Sequence, residues 1–470
     1  MIPYTLTLTA AQHRTLQKHL FPGDNKEAVA ILLCSRRDGD RRHRLTVKDV
    51  FTIPYDECVL REVDKVIWSP DYIVPQLEEA TKNGLSIIKV HSHPTGYPEF
   101  SKTDDEGDNR LLPMIKGWVE HDVAHGSVVM LPDGTMLGRV IVHDDTMQPL
   151  KCINVVGDDL RFWYQNSSNT KTPDFMASHA RAFDEGTIER LQKLSVAVVG
   201  CSGTGSPVIE QLMRLGVGEL VLVDFDEMEE RNVNRILYST MKDARLKRPK
   251  VDVLGDAIER ADLGTKVIKL KKNLWDAEVV RSIGQCDVIF GCMDTVDGRY
   301  LLNSLATHYL IPYFDIGIRL DTYREGPKKG TIREVCGTVN YLQPGLSSLM
   351  SRGLFSMEDV RAAGLERNDP SAHERQINEG YIAGVANHRP AVISVNMFAA
   401  SLAVNEFLAR LHPYREYPNQ YFASVQFSLA SMELIPDPEE NICEILGRRV
   451  GFGDTKPLLG EMELAERRTS

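Results

Sequence analysis

Two histidines spaced two residues apart, His91-Ser92-His93-Pro94, are followed after a short gap by Ser101-Lys102-Thr103-Asp104. On a strand, positions i and i+2 point to the same side, so His91 and His93 project together. Asp104 can supply a third ligand of the nitrogen-and-oxygen kind that zinc accepts, leaving the fourth tetrahedral position to water. That is a hydrolytic arrangement, because zinc brings the pKa of bound water towards neutrality. A general base is also needed, and Glu27 in Lys26-Glu27-Ala28-Val29-Ala30 is the candidate. Ser101 can donate a hydrogen bond to the oxyanion at the attacked carbonyl. Each half alone is weak, since His-x-His is more often structural and Ser-x-x-Asp is a common helix-start capping box. The joint pattern carries the reading. His121-Asp122-Val123-Ala124-His125 is a near variant of the His-Glu-x-x-His zinc helix, but Gly126 follows at once and a strand begins there. These two histidines are expected on the surface.

A second group lies further along. Gly200-Cys201-Ser202-Gly203-Thr204-Gly205 joins a short apolar run, Ser195 to Val199, to a helical pattern over 207–215. Gly200, Gly203 and Gly205 let the backbone turn tightly and approach phosphate at a helix N-terminus. Asp224 ends the next strand, in place to accept from a ribose hydroxyl, and Asp226 follows in Asp224-Phe225-Asp226. To this point a dehydrogenase would fit equally well. Beyond it come Arg231-Asn232-Val233-Asn234-Arg235 and Arg248-Pro249-Lys250, more phosphate ligands than hydride transfer requires. Attack of a carboxylate on the α-phosphate of ATP does require them, because charge develops there and on the leaving pyrophosphate. Asp294, just past an expected strand over 287–290, is placed to hold magnesium.

The elements that must position these residues differ between the two halves. The first part, to about residue 155, mixes short strands (47–53, 86–90, 127–131) with a helix region over 65–83, with Ser69-Pro70 near its start and Gly84 as its stop. A polar stretch, Gln165 to Pro173, has linker chemistry. From Leu194 the pattern alternates strand and helix, with strands at 195–199, 220–223, 266–270 and 287–290, as a doubly wound parallel sheet requires. Val392 to Leu411 reads as one long helix. The expected fold is α/β throughout. A mixed α/β domain spans 1–155, a linker and arm 156–185, a Rossmann-like doubly wound domain 186–458, and a charged tail 459–470.

The chain has 470 residues, 42% hydrophobic and 26% charged, which is ordinary globular composition for two to four domains. A net charge of -11 argues against a nucleic-acid or anionic-membrane surface. No apolar stretch has the length to span a bilayer, and the first residues lack a signal-peptide pattern. The eight cysteines form no Cys-x-x-Cys pair, so a disulfide framework is not expected and the cytoplasm is the default compartment.

The first group resembles the JAMM (MPN-plus) metallopeptidases, whose motif is an upstream Glu, His-x-His-Pro, and Ser-x-x-Asp. The resemblance covers about residues 1–150. It implies zinc on His91, His93 and Asp104, Glu27 as base and Ser101 as oxyanion helper, in an enzyme that cuts after the C-terminal glycine of ubiquitin-like proteins. The second group, over about 175–460, resembles the ThiF/MoeB and ubiquitin-activating-enzyme superfamily. The glycine loop, Asp224-Phe225-Asp226, Asn232-Val233-Asn234-Arg235, Pro249-Lys250 and Cys292-Met293-Asp294 fall in the family's order. Arg181 matches the arginine that reaches across that family's dimer to ATP, which implies a homodimer. Gly384-Val385 and the helix carrying Asn396 and Asn405 resemble the family's late helix.

Two departures matter. Where many relatives carry two Cys-x-x-Cys pairs, this chain has Ser348-Leu349-Met350-Ser351 and Cys443-Glu444-Ile445-Leu446, so no structural zinc is expected there. No cysteine lies between Cys336 and Cys443, where ubiquitin-type enzymes place their thioester cysteine. Cys336 itself reads as a small buried residue on a strand. The expectation is therefore a bifunctional enzyme of a bacterial-type ubiquitin-like pathway, of a kind associated with phage defence. ATP and magnesium would serve adenylation of the modifier's C-terminal glycine, and zinc would serve cleavage of its precursor or conjugates. Hand-off would go directly to a conjugating enzyme or a sulfur donor. The alternatives are sulfur-carrier activation to a thiocarboxylate, and an adenylation fold that only docks substrates for the peptidase.

Overall fold

The computed structural model describes residues 2–142, 145–165, 173–323, 325–378, 392–439 and 441–465. Most of the polar stretch 165–173, and Gly384-Val385, lie outside the described residues. The chain divides into two compact units. The first comprises Met1–Asn169 with His308–Leu310 and Arg449–Leu459, and the second comprises the remainder.

The first unit contains strands β1 (Tyr4–Thr9), β2 (Val29–Asp38), β3 (His43–Thr52), β4 (Cys58–Arg61), β5 (Val66–Trp68), β6 (Ser86–Ser92), β7 (His125–Met130), β8 (Met136–Ile141), β9 (Met147–Pro149), β10 (Cys152–Val156) and β11 (Arg161–Tyr164), with helices α1 (Ala10–Leu20), α2 (Val74–Asn83) and α3 (Lys102–Trp118). The main sheet runs β11-β10-β1-β3-β2-β6-β7-β8-β9, and β4-β5 form a separate hairpin. Side chains alternate between faces with a period of two. Ala30, Leu32 and Cys34 of β2 accordingly join Leu16 and Leu20 of α1 in one core. Val29, Ile31 and Leu33 join Leu77 of α2 and Leu112 and Ile115 of α3 in another. The returning segment lies along this unit, with Thr46 Oγ1 donating to Gly451 O at 2.9 Å.

The helix expected over 65–83 starts later. Val66-Ile67-Trp68 is β-branched and aromatic and pairs with β4 as a strand. A 3-10 turn over Pro70–Ile73 then leads into α2, which ends as expected at Gly84 in the left-handed conformation (φ 63°). The expectation that His125 lies on the surface is overturned. It is the first residue of β7, fully buried, and its Nδ1 accepts from the Ile87 N–H at 3.0 Å. Burial pushes its pKa down to about 4. His121 is exposed and bonds to Thr81 O.

The second unit contains α4 (Ala177–Lys193), β12 (Ser195–Val199), α5 (Gly205–Arg214), β13 (Glu219–Val223), α6 (Met241–Arg245), α7 (Lys250–Ala261), β14 (Lys266–Leu270), α8 (Ala277–Ile283), β15 (Val288–Gly291), α9 (Val296–Tyr309), β16 (Tyr313–Thr322), β17 (Ile332–Leu342), α10 (Met357–Asn368), α11 (Pro370–Asn378), α12 (Ile393–Leu411), β18 (Ser424–Ser428) and β19 (Glu433–Asp437). Its sheet runs β14-β13-β12-β15-β16-β17-β18-β19. The first five strands are parallel, and the last three extend the sheet antiparallel. β12 is buried along its whole length, as an apolar strand inside a parallel sheet must be. The order reverses at β12, between β13 and β15, so the crevice above β12 and β15 is the switch point where such folds bind nucleotides. Among the described residues, no helix is long and apolar enough to cross a membrane.

A buried polar knot ties α9 to β16 and β17. Both nitrogens of the Arg299 fork donate to Asp315 (2.8 and 2.5 Å), with Tyr313 OH and Asn340 Nδ2 donating at 3.0 and 3.2 Å. Asp315 is fully buried, so Asp315→Ala leaves the guanidinium uncompensated and is expected to cost about 3–5 kcal/mol. Chemical denaturation measures this, and a loss below about 1 kcal/mol would mean that water reaches Arg299.

Candidate metal centre and nucleotide crevice

The first site is assembled by strand register. β2 and β6 are antiparallel with Val29 opposite His91, and Ser92 N–H donates to Ala28 O at 3.1 Å. Continuing that register places Glu27 opposite His93, and Glu27 Oε1 lies 4.0 Å from His93 Nε2. α3 brings the last member, because Asp104 sits in its first turn. Ser101 is the N-cap, and its N–H and hydroxyl both donate to Asp104 Oδ2 at 2.7 Å, while Asp104 N–H donates back to Ser101 Oγ. The capping box and the candidate ligand are thus the same residues. Asp104 Oδ1 lies 2.8 Å from His91 Nε2, and Oδ2 lies 3.2 Å from His93 Nε2. Glu27, His91, His93 and Asp104 are all buried.

The donor set fits a zinc ion. Donor atoms of Glu27, His91 and His93 lie within 4.8 Å of one another, and Asp104 touches both imidazoles. Although His91 Nε2 is close to Asp104, neither His91 ring nitrogen makes a well-aligned hydrogen bond, an unusual state for a buried imidazole. His93 Nδ1 pairs with Tyr97 O at 2.8 Å, which directs Nε2 inward. Burial drives His91 down to about 4, helped by the Lys89 charge. Burial opposes the charged form of His93 too, but its bonds to Asp104 and Tyr97 O outweigh this and raise it. Burial also works against Asp104 as an anion, but the close approach of the His91 and His93 imidazoles holds it far below the carboxylate range. Glu27, for which burial dominates, is pushed up to about 8.

The nucleotide crevice is built by close approach. Gly200 has φ 94°, and a Cβ there would meet Cys292 O at 2.6 Å, so the Cys292–Asp294 loop lies against the glycine loop. A Cβ on Gly205 would meet Gly200 O at 1.8 Å, and one on Gly203 would meet Asn396 Nδ2 at 2.3 Å. Asn396 of α12 therefore borders the loop. The sequence associated it with a late helix without giving it a site role, and only the packing of α12 on α5 brings it here. Asp224 accepts from Cys201 N–H (2.7 Å) through one oxygen and from Asp226 N–H (2.9 Å) through the other. Burial raises its pKa. Lys250, buried at the start of α7, donates to Asp226 Oδ2 at 2.5 Å. Arg235 touches the position of a Gly203 Cβ and is held by Arg231 O at 2.6 Å. Asn234 and Asp294 are exposed. Arg181 is exposed on the first segment of α4, before a break at Asp184, whose carboxylate caps the second segment through Thr187 N–H.

Cys201 is fully buried and burial raises its pKa, so its thiol is not activated. Cys336 lies on β17 as expected but is half-buried rather than buried, with burial and Glu334 raising its pKa. The two places of the absent cysteine pairs lie side by side. Ser348 and Ser351 exchange hydrogen bonds, Ser351 Oγ donates to Asn441 O at 3.4 Å, and Cys443 N–H donates to Leu346 O at 3.0 Å.

Residues 176–441 match the ThiF family, and the chain belongs to it. Residues 9–139 match the prokaryotic homologs of the JAB domain, so a JAB domain stands ahead of the ThiF domain. Ubiquitin-like modifier-activating enzyme 5 of Culex quinquefasciatus is 25% identical over 211 residues, 42% of this chain and 49% of that protein. The molybdopterin-synthase adenylyltransferase of Escherichia coli strain K12 is 33% identical over 124 residues, 26% of this chain and 49% of that protein. The chain thus spans about half the length of these relatives. The crystal structure of E. coli MccB with MccA-N7isoASN is 16% identical with a TM-score of 0.44, covering 58% of this chain and 75% of that one.

The raised Glu27 makes a testable prediction for the metal-free chain. Its folded pKa is about 8 against an ordinary 4.5, so the folded state holds the extra proton between those values. The associated stability is complete below the unfolded pKa and is lost as pH rises to about 8. In chelator, Glu27→Gln is expected to gain melting temperature over wild type progressively from about pH 5 upward. A constant difference would show that Glu27 ionises normally.

Proposed function

We propose that the ThiF domain adenylates the C-terminal carboxylate of a small ubiquitin-like protein, and that the JAB domain is a zinc peptidase acting on that protein's precursor or conjugates. The observation that carries the first part is the linked set of Lys250, Asp226, Asp224 and the Cys201 N–H, which sets a buried cation beside a glycine loop. A carboxylate oxygen of the modifier attacks the α-phosphorus of ATP, the bond to pyrophosphate breaks, and an acyl-adenylate remains. Arg235 and Lys250 stabilise the charge that develops, Gly200, Gly203 and Gly205 admit the phosphates, Asp224 and Asp226 organise the loop, and Asn234 adds a polar contact. Asp294 holds magnesium. Arg181 serves the second copy in a homodimer.

In the JAB domain, His91, His93 and Asp104 hold zinc, which supplies Lewis acidity when bound. Glu27 takes a proton from the attacking water and returns it to the departing amine as the C–N bond breaks. Ser101 turns its hydroxyl from Asp104 to the oxyanion.

Hand-off proceeds without an internal thioester, to a conjugating enzyme or a sulfur donor, because Cys201 is fully buried and no cysteine lies between Cys336 and Cys443. The same absence favours a second reading, sulfur-carrier activation. A copurifying desulfurase and a thiocarboxylate product would select it.

Purified protein is expected to hold close to one zinc per chain by elemental analysis, and His91→Ala or Asp104→Ala should lose it. Glu27→Ala should keep the metal but lose about 10²-fold or more of peptidase rate, the usual scale for a general base. Loss of zinc from Glu27→Ala would make Glu27 a ligand instead. For adenylation, ATP–pyrophosphate exchange dependent on the modifier should fall about 10²-fold or more in Lys250→Ala and Asp294→Ala. Undiminished exchange in Asp294→Ala would remove magnesium from that residue.

A further inference from the structure

The N-terminal unit holds a charge cluster, centred on a buried carboxylate, immediately behind its candidate metal ligands. Lys89 Nζ lies 2.5 Å from Asp108 Oδ1, and Asp108 is fully buried. Arg139 closes the other side, donating to Asp108 Oδ2 through Nε (3.1 Å) and Nη2 (2.7 Å) and to Asp105 through Nη1 (2.5 Å). Its guanidinium also lies 3.9 Å from the centre of the Phe100 ring, on the loop between His93 and α3.

Three adjacent strands present this cluster. Lys89 of β6 is opposite Ser127 of β7, and Ser127 is opposite Arg139 of β8, so the three share one row. Ser127 is small, which leaves room for two long cations to converge on Asp108. Its hydroxyl is buried without a partner, so it adds space rather than a bond. On the same face, Ile87 packs in an apolar cluster with Leu112 and Ile115 of α3. A buried ion pair within such a cluster is seldom more stabilising than apolar residues of the same size. Its presence calls for a role other than stability.

Geometry supplies that role. Two residues of strand advance about 6.6 Å, and four residues of helix advance about 6.0 Å. Going from His91 back to Lys89 on β6 therefore matches going from Asp104 on to Asp108 on α3. The two elements meet as a ladder of two rungs, His91 with Asp104 at 2.8 Å and Lys89 with Asp108 at 2.5 Å. A slip of α3 along β6 would break both rungs together. Apolar contacts between Ile87, Leu112 and Ile115 are non-directional and tolerate small slips, whereas the forked bonds to Asp108 do not.

We propose that Lys89, Asp108 and Arg139 are positioning residues that lock α3 in register against β6 and so set Asp104 at ligand distance from His91 and His93. This rests on the zinc reading of the JAB site. Lys89 acts through His91's strand, Asp108 through Asp104's helix, and Arg139 through Asp108 and Phe100.

The test measures zinc affinity by chelator competition, with melting of the metal-free chain as the control for folding. Asp108→Asn and Lys89→Met are expected to weaken zinc binding about 10–100-fold, the usual scale for outer-layer partners of metal ligands. The triple variant Lys89→Met/Asp108→Leu/Arg139→Met removes all three charges and refills the space. It is expected to recover the melting temperature of the metal-free chain but not the zinc affinity. Full recovery of both would mean that any filler suffices and would overturn the proposal, as would wild-type affinity in Asp108→Asn. A wild-type chain that binds no zinc would overturn the metal reading itself, which separates that failure from the failure of the ladder.

Discussion

Side chains on β6 alternate, and the first unit depends on that alternation. Ile88 and Val90 enter the core shared with α1, while Ile87, Lys89 and His91 face α3. One strand thus supplies two cores and an edge of the candidate metal centre at once. A slip of one residue would exchange every partner, placing Val90 where His91 meets Asp104. Pairing to β2 fixes the same register from the other side and sets Glu27 opposite His93. The charged row behind the histidines adds a directional constraint where apolar packing alone has none.

The second unit depends on a different constraint, close approach of backbone to backbone. At Gly205 a single methyl group would collide with Gly200 O, and at Gly200 with Cys292 O. These contacts bring the loop after β15 against the loop after β12, at the point where the strand order reverses. The carboxylate of Asp224 is already engaged by two backbone N–H groups, so it shapes the loop whatever else it binds. Lys250 is held by Asp226 rather than free in solvent, which places its charge at low entropic cost.

Much of this was legible in the residues. The parallel strands of the second unit were readable because continuous apolar runs between glycines have few other solutions, and β14 falls at the expected residues. The residues of the candidate metal centre were readable as a group because a strand pair of histidines and a helix-cap aspartate are local patterns. Val66 to Trp68 was misread because apolar residues before a helix start carry no period of their own, and pairing with β4 decides their state. His125 was misread because its burial comes from β6, which lies far off in sequence.

What the sequence by itself determined is the chemistry available. It set which residues can ligate, donate or carry charge, and which local elements hold them, since these follow from side-chain type and from periods of two and 3.6 residues. The tertiary structure alone decided who meets whom. Glu27 reaches His93 through sheet register, Asn396 reaches the glycine loop through helix packing, and Lys89 reaches Asp108 through the near-equal advance of two strand residues and four helix residues. Such meetings join residues distant along the chain, and no local pattern encodes them, because they depend on how whole elements are laid against one another.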